Sequence, residues 1–141
     1  GITIDEFQHW VYENPNATHE ERCAKWLEIE RSNLPHLKFD EQPTWAHGAR
    51  WMRQHHIFGT PFYYIDYTLA QVVAFQFLAE DRKNHEKAWK KYLKLCKMGG
   101  KLPFTGLLEK NHLRNPFIDG TVKKNIKPLV KILKEFDTSK F

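Results

Sequence analysis

Residues 51–67 place several chemically useful side chains in one short stretch, W-M-R-Q-H-H-I-F-G-T-P-F-Y-Y-I-D-Y. The stretch holds two imidazoles, three phenols and one carboxylate around a Gly-Thr-Pro turn. Phenol O–H and imidazole N–H groups in a dry site can donate hydrogen bonds to an oxyanion that develops during a reaction. These residue types are therefore suited to the stabilisation of a developing oxyanion. The alternative is that the tyrosines are core residues whose hydroxyls bond to Asp66 or to a backbone carbonyl.

The tyrosines lie at the start of the most apolar part of the chain, residues 61–79, in which Asp66 is the single formal charge. A run of 19 residues is long enough to span a bilayer, but its polar residues would be costly in lipid. The pattern instead predicts a helix buried at the centre of a bundle. On that helix Tyr64 and Tyr67 are i, i+3 neighbours and Gln71 follows one turn later, which predicts one polar stripe.

The pair His19-Glu20 matches the first two positions of a zinc-binding motif. The zincin motif H-E-x-x-H places two histidines on one helix face, with the glutamate between them as a base. Here the fifth position is Cys23, and no third ligand lies nearby in the sequence. Thr18 and Glu21 have the spacing of a capping box. The sequence therefore predicts the N-terminus of a helix at this position, and no metal site in the chain.

The rest of the chain reads as amphipathic helices separated by turns. Helices are predicted over residues 3–13, 18–34, 45–54, 61–79, 85–97 and 103–108, with a last helix that begins at residue 121. Thr44, Asn84 and Thr121 are the predicted N-caps. Residues 35–43 form a predicted loop, and Pro128 can kink the last helix. Because no strand-like alternation and no internal repeat are present, we expect an all-α, multi-helix bundle of 141 residues.

Positive charge is concentrated in the second half of the chain. Residues 1–80 have 6 Lys and Arg against 11 Asp and Glu, whereas residues 81–141 have 16 against 6. A basic half supports the alternative that the chain is a helical nucleic-acid-binding module. However, the lysines between residues 87 and 97 recur at helical spacing, which is typical of a solvated helix face. We therefore expect no nucleic acid as a partner.

The two cysteines, Cys23 and Cys96, are too few for a disulfide framework and have no C-x-x-C spacing. They are expected to be reduced, mostly buried thiols of a cytoplasmic protein. No pattern of a signal peptide is visible, and the chain begins at Gly1 rather than at a methionine. We therefore expect a fragment of a longer protein.

Four motifs follow one another along the chain. They are D-E-F-Q-H-W-V-Y-E-N-P at residues 5–15, H-I-F-G-T-P-F-Y-Y-I-D-Y-T-L-A-Q at 56–71, A-W-K-K-Y-L-K-L-C-K-M-G-G at 88–100 and N-P-F-I-D-G-T-V at 115–122. Together they resemble the C-terminal portion of oligoendopeptidase F, which belongs with the thimet-oligopeptidase-like zinc metallopeptidases. The resemblance covers essentially the whole chain. It implies that residues 1–141 are the C-terminal segment of a larger, zincin-like helical catalytic domain.

The resemblance also implies an activity, which is the hydrolysis of short peptides by a zinc metalloendopeptidase. In the family, two histidines of H-E-x-x-H and a downstream glutamate hold the zinc, and the first glutamate of the motif activates zinc-bound water. These ligands would lie upstream of Gly1, so this segment alone would be inactive. The implied partners are short peptide substrates and the upstream remainder of the same domain. A helical scaffold that binds peptides without catalysis is a further alternative.

A severed catalytic domain can expose an apolar face that normally packs on the missing part. We therefore expect that the chain by itself forms a homodimer through such a face. No membrane is expected as a partner, since the segments around residues 61–79 are ordinary amphipathic helices.

The site residues come from the second of the four motifs. In the family, a His and tyrosines of this region face the zinc and bind substrate or stabilise the tetrahedral intermediate. The resemblance assigns these catalytic roles to His56, Tyr64 and Tyr67. Relatives place the His directly before the F-Y-Y triplet, where this chain has a proline. His55 or Tyr63 is therefore the alternative for the role of His56, and both are expected to bind substrate.

Asp66 is expected to accept a hydrogen bond that orients a phenol or an imidazole of this site. The alternative is a buried salt bridge from Asp66 to Arg50 or Arg53. Either contact requires the carboxylate to lie close to a donor side chain.

Overall fold

The computed structural model describes residues 1–38 and 41–137, and in these ranges every regular element is a helix. The elements are α1 (Ile2–Glu13), α2 (His19–Asn33), α3 (Pro43–Ala46), a 3₁₀ helix (Ala49–Arg53), α4 (His56–Gly59), α5 (Ile65–Asp81), α6 (His85–Met98), α7 (Phe104–Lys110) and α8 (Thr121–Lys134). The all-α prediction is confirmed. Two residues of the predicted loop over 35–43 lie outside the described ranges.

The chain divides into two compact units, Gly1–Thr68 and Leu69–Phe141, with the boundary inside α5. We call them the N-terminal unit and the C-terminal unit. All residues that the sequence nominates for chemistry, from His55 to Tyr67, belong to the N-terminal unit.

An aromatic core holds the N-terminal unit together. The side chain of Phe7 in α1 is completely buried. Its ring centroid lies 5.2 Å from that of Trp26 in α2 and 5.4 Å from that of Trp51 in the 3₁₀ helix. Ile4 and Ile29 complete the buried cluster. The apolar spacing of Ile4 and Phe7 in the sequence thus identified the face of α1 that is buried.

Local capping chemistry sets two of the helix ends as predicted. Thr18 Oγ1 accepts a hydrogen bond from the Glu21 backbone N–H at 3.2 Å, and the Thr18 N–H donates to Glu21 Oε2 at 2.7 Å, which completes the capping box of α2. Asn84 Oδ1 accepts from the Lys87 N–H at 2.9 Å and caps α6. That helix ends at Met98, and its C-cap is Gly99, whose φ of +52° favours glycine.

The predicted helix over residues 45–54 with Thr44 as its N-cap is wrong. Instead α3 has four residues with Gln42 as its N-cap, and the 3₁₀ helix follows Gly48. Gly48 is in the left-handed region with a φ of +85°, and a Cβ atom there would collide with the backbone carbonyl of Cys23 in α2. Close packing against α2 therefore interrupts the helix, and the sequence pattern alone does not show this contact.

The helix in the apolar stretch starts later than predicted. Residues 61–64 form a turn, and α5 begins at Ile65. Phe62 in this turn has a φ of +59°, a left-handed conformation that is incompatible with a right-handed helix. Tyr64 therefore precedes the helix, and Tyr67 lies in its first turn.

The expectation that α5 is buried at the centre of a bundle is also wrong for the described residues. The helix is buried along one face only, which consists of Val72, Val73 and Gln76. Tyr67 is 53% exposed. No helix within the described ranges combines the length and the apolar composition needed to cross a membrane.

The C-terminal unit has its own, smaller core of Val73, Leu108 and Leu113. The buried side-chain amide of Gln76 also stabilises this unit. Gln76 in α5 is 3% exposed, and its Nε2 donates to the Arg114 carbonyl at 2.9 Å. Its Oε1 accepts from the Arg114 N–H at 2.8 Å. One side chain thus holds both polar groups of one backbone residue.

Three local details differ from the prediction or qualify it. Gly120, with a φ of +76°, is the N-cap of α8, and Thr121 is the first residue of the helix. Pro128 lies inside α8. Of the two thiols, Cys23 is buried as expected, but Cys96 is exposed.

Candidate active site

The turn between α4 and α5 gathers the nominated side chains. His56 is the first residue of α4, and Tyr63 and Tyr64 immediately precede α5. Together with His55 and Tyr67 they form a group that we call the His–Tyr cluster. Both candidate histidines and all three tyrosines of the motif therefore lie in one place in the N-terminal unit.

His56 lies at the centre of the His–Tyr cluster. Its ring centroid is 4.9 Å from that of Tyr64, 6.3 Å from Tyr63, 6.4 Å from Tyr67 and 3.9 Å from His55. The ring of Tyr67 is in turn 5.3 Å from Tyr64 and 5.5 Å from Tyr63. These are contact distances for aromatic rings, so a single bound group can touch several of them.

The tautomer of the neutral His56 ring is set by Gln54, which was not among the predicted site residues. Gln54 Nε2 and His56 Nδ1 are 2.7 Å apart. An amide NH₂ group only donates, so Nδ1 of His56 accepts this hydrogen bond. The neutral ring then carries its proton on Nε2. His56 can therefore present Nε2–H as a hydrogen-bond donor to a bound group.

Tyr67 keeps its proton more strongly than an ordinary tyrosine. A hydrogen bond with Tyr63 and the charge interaction with the same residue raise the pKa of Tyr67, with smaller contributions from desolvation and from Tyr64. The phenol is thus a stable hydrogen-bond donor rather than a base. Because Tyr67 is 53% and Tyr63 46% exposed, the cluster is open on the side of these rings.

Asp66 does not lie where the sequence analysis placed it. Its side chain is exposed and forms no hydrogen bond or ion pair with any residue in the described ranges. The salt-bridge alternative does not form either, because Arg50 pairs with the buried Glu30 of α2. The guanidinium of Arg53 lies over the ring of Trp45, 5.5 Å from its centroid.

The turn that carries the cluster is held by α1. Gln8 of α1 is 1% exposed and bonds to the backbone of Ile57 and Phe62. Gln8 was not among the predicted site residues. The sequence nevertheless contains a sign of its role: Gln8 interrupts the i, i+3, i+4, i+7 apolar stripe of α1 between Phe7 and Val11. A polar residue at a core position usually has a specific hydrogen-bond partner.

The described residues do not hold a metal by themselves. They contain no group of three or more His, Cys, Asp or Glu side chains close enough to bind an ion. His19 Nε2 and Cys23 Sγ are 3.5 Å apart at the start of α2, but they have no third partner of these types. Zinc in proteins takes three or four protein ligands. The donor set in this part of the chain therefore does not fit a zinc ion.

Solved structures of peptidases resemble the chain in both sequence and fold. A structure of PZ peptidase A with an inhibitor is 47% identical, with a TM-score of 0.90 over 96% of this chain. A structure assigned as oligoendopeptidase F is 43% identical, with a TM-score of 0.91 over 96%. Another such structure, from Bacillus anthracis, is 39% identical, with a TM-score of 0.76 over 99%.

Over nearly its whole length the chain is similar in sequence and fold to a segment of oligoendopeptidase F and PZ peptidase structures. It spans about a quarter of the length of the structures it matches, namely 24%, 24% and 22%. No family model and no curated protein matches it. The resemblance seen in the sequence motifs is thus confirmed by structures of similar fold. Because these structures are peptidases, they give no support to the nucleic-acid alternative.

Proposed function

We propose that this oligoendopeptidase F segment is the C-terminal part of the catalytic domain of a zinc metalloendopeptidase that hydrolyses short peptides. The observation that carries the proposal is the His–Tyr cluster. Five side chains with N–H or O–H groups meet in one turn of a chain that is 39–47% identical to peptidase structures.

The proposed role of the cluster is to bind the scissile carbonyl and to stabilise the oxyanion. His56, through Nε2–H, and the phenols of Tyr64 and Tyr67 donate hydrogen bonds to the oxygen that becomes negative in the tetrahedral intermediate. His55 and Tyr63 lie beside these rings and contact the rest of the peptide. Removal of a single donor of this kind typically costs 10²–10³ in kcat.

In this proposal the zinc ligands lie upstream of Gly1, as the resemblance to oligoendopeptidase F implies. Zinc supplies an activated water and polarises the substrate carbonyl. The partner of this segment is accordingly the remainder of the same catalytic domain, and the segment alone is inactive. The two free thiols fit a reducing, cytoplasmic location.

The test uses the complete peptidase and an internally quenched oligopeptide, with and without a zinc chelator. Tyr64→Phe and Tyr67→Phe should each lower kcat by about 10²-fold and leave the zinc content unchanged, because a phenol that acts on the oxyanion is not a metal ligand. The matched control is Tyr92→Phe, which removes a phenol of the C-terminal unit and should keep kcat within about twofold.

The possible outcomes test separately the metallopeptidase function, the role of the two phenols and the inactivity of the segment alone. Cleavage by the complete peptidase that the chelator abolishes supports the metallopeptidase function, and no cleavage by a folded, zinc-loaded peptidase refutes it. Unchanged kcat in both cluster variants refutes the role of the two phenols. Cleavage by the 141-residue chain alone would show that it is not an inactive part.

A further inference from the structure

Gln8 is a buried polar residue whose two hydrogen bonds both go to the turn that carries the His–Tyr cluster. Its Nε2 donates to the Ile57 carbonyl at 3.5 Å, and its Oε1 accepts from the Phe62 N–H at 3.3 Å. Ile57 directly follows His56 in the chain, and Phe62 directly precedes Tyr63. One side chain of α1 therefore joins the backbone next to the histidine to the backbone next to the tyrosines.

The conformation of Phe62 depends on outside support. Its φ of +59° lies in the left-handed region, which is unfavourable for a residue with a Cβ atom. No backbone carbonyl in the described ranges accepts its N–H, so the bond to Gln8 is the partner of this group. The Phe62 ring contacts His9 at 4.8 Å and Tyr12 at 5.0 Å between centroids. Helix α1 thus holds both the backbone and the ring of Phe62.

Strained backbone conformations that the surrounding structure maintains are concentrated at functional sites. Here the strained residue sits between the two halves of the His–Tyr cluster. If the Gln8 bonds are lost, the turn can relax, and the distance between the rings of His56 and Tyr64, now 4.9 Å, is no longer fixed.

We propose that Gln8 is a positioning residue of the site: its amide fixes the spacing between His56 and the Tyr63–Tyr64 pair by bridging Ile57 and Phe62. This inference rests on the proposed peptidase function. Gln8 acts through the turn and does not touch the substrate. Its loss should therefore affect the transition state, which needs accurate placement of the donors, more than it affects substrate binding.

The test is Gln8→Met in the complete peptidase, because methionine has nearly the same length and shape but cannot form the two hydrogen bonds. We expect kcat to fall at least about tenfold, while KM for the quenched oligopeptide and the zinc content stay within about twofold. Both enzymes are assayed well below their melting temperatures, so that only folded protein is compared.

The chain offers a matched control in Gln76→Met. Gln76 is also a buried glutamine of a helix, and it also uses both ends of its amide to hold a backbone segment, at Arg114. It belongs to the C-terminal unit, nine residues beyond Tyr67 in the sequence. The control should lower the melting temperature by a similar amount and leave kcat within about twofold. A purely structural role of Gln8 predicts equal kcat for the two variants.

A second measurement needs no activity. In the wild-type chain, hydrogen exchange of the Phe62 amide should be at least about tenfold slower than in an unstructured peptide, because the N–H is bonded to Gln8. In Gln8→Met this protection should be lost. The Tyr63 amide donates to the Thr60 carbonyl at 3.2 Å and serves as the internal reference.

Each result decides one question. If the wild-type peptidase does not cleave peptides, the proposed function fails. If it does, but Gln8→Met has the same kcat as Gln76→Met, the positioning role is overturned. If Gln8→Met does not fold, a Phe62 amide that exchanges freely in the wild-type chain overturns the role by itself.

Discussion

Gly48→Ala should strongly destabilise the N-terminal unit. Gly48 has a φ of +85°, and an alanine Cβ at this position meets the carbonyl of Cys23 and the side chain of Leu27. The left-handed conformation alone costs about 1–2 kcal/mol for a residue other than glycine. The collision is with backbone, which cannot move aside cheaply, and overpacking of this kind costs about 1–3 kcal/mol.

The expected loss of unfolding free energy is therefore about 2–5 kcal/mol, from a total that is about 5–15 kcal/mol for a typical domain. With a urea m-value of about 2 kcal/mol/M, the midpoint should fall by roughly 1–2.5 M. Tryptophan fluorescence is a suitable probe, because four of the five tryptophans lie in residues 1–68. Trp51 also reports on the site, since its ring is 5.7 Å from Phe58 in α4.

The control is Gly59→Ala. A Cβ atom at Gly59 has no neighbour within 4 Å and no unfavourable φ, and the residue is helical in α4. Because alanine favours a helix more than glycine does, this variant should be as stable as the wild type or more stable by about 0.5–1 kcal/mol. Equal urea midpoints for Gly48→Ala and the wild type would refute the close approach of this segment to α2.

Two further predictions concern the phenols and the free chain. Tyr63→Phe removes the main cause of the raised pKa of Tyr67, so this pKa should fall toward its ordinary value of 10.0, whereas Tyr12→Phe should not change it. The phenolate absorbance in a pH titration measures this, and an unchanged Tyr67 pKa would contradict the assigned cause. The 141-residue chain alone should dimerise through the exposed apolar residues of α8, which are Val122, Ile126, Val130 and Leu133. Analytical ultracentrifugation should show a shift to monomer for Leu133→Lys, and a monomeric wild type across a wide concentration range would refute the interface.

Much of the fold could be predicted because its signals are local. The capping box at Thr18 and the amide cap at Asn84 involve atoms within one helical turn, so the sequence specifies them directly. The apolar spacing of Ile4 and Phe7 likewise marks a face without knowledge of its partner. The gathering of His56, Tyr64 and Tyr67 also has a local basis, since they lie within twelve residues of one another.

The predictions that failed have a common cause, which is contact between residues that are distant in the sequence. Gly48 lies inside the helix predicted over residues 45–54, and only the structure shows the carbonyl of Cys23 beside it. The turn at Phe62 could not be predicted from the apolar stretch that contains it. Its left-handed conformation depends on Gln8, which is 54 residues away. Asp66 was expected to orient a phenol or an imidazole, with a salt bridge to Arg50 or Arg53 as the alternative. Its side chain is instead exposed, and Arg50 pairs with Glu30 of α2.

The sequence by itself determined the helical class, the resemblance to oligoendopeptidase F and the group of candidate site residues, because motif and period are properties of neighbouring residues. The tertiary structure decided how these side chains are held. Only the fold places Gln8 beneath the turn at Phe62, the Cys23 carbonyl beside Gly48 and Glu30 beside Arg50. The physical reason is that a hydrogen bond between remote residues depends on the path of the whole backbone, which no local pattern encodes.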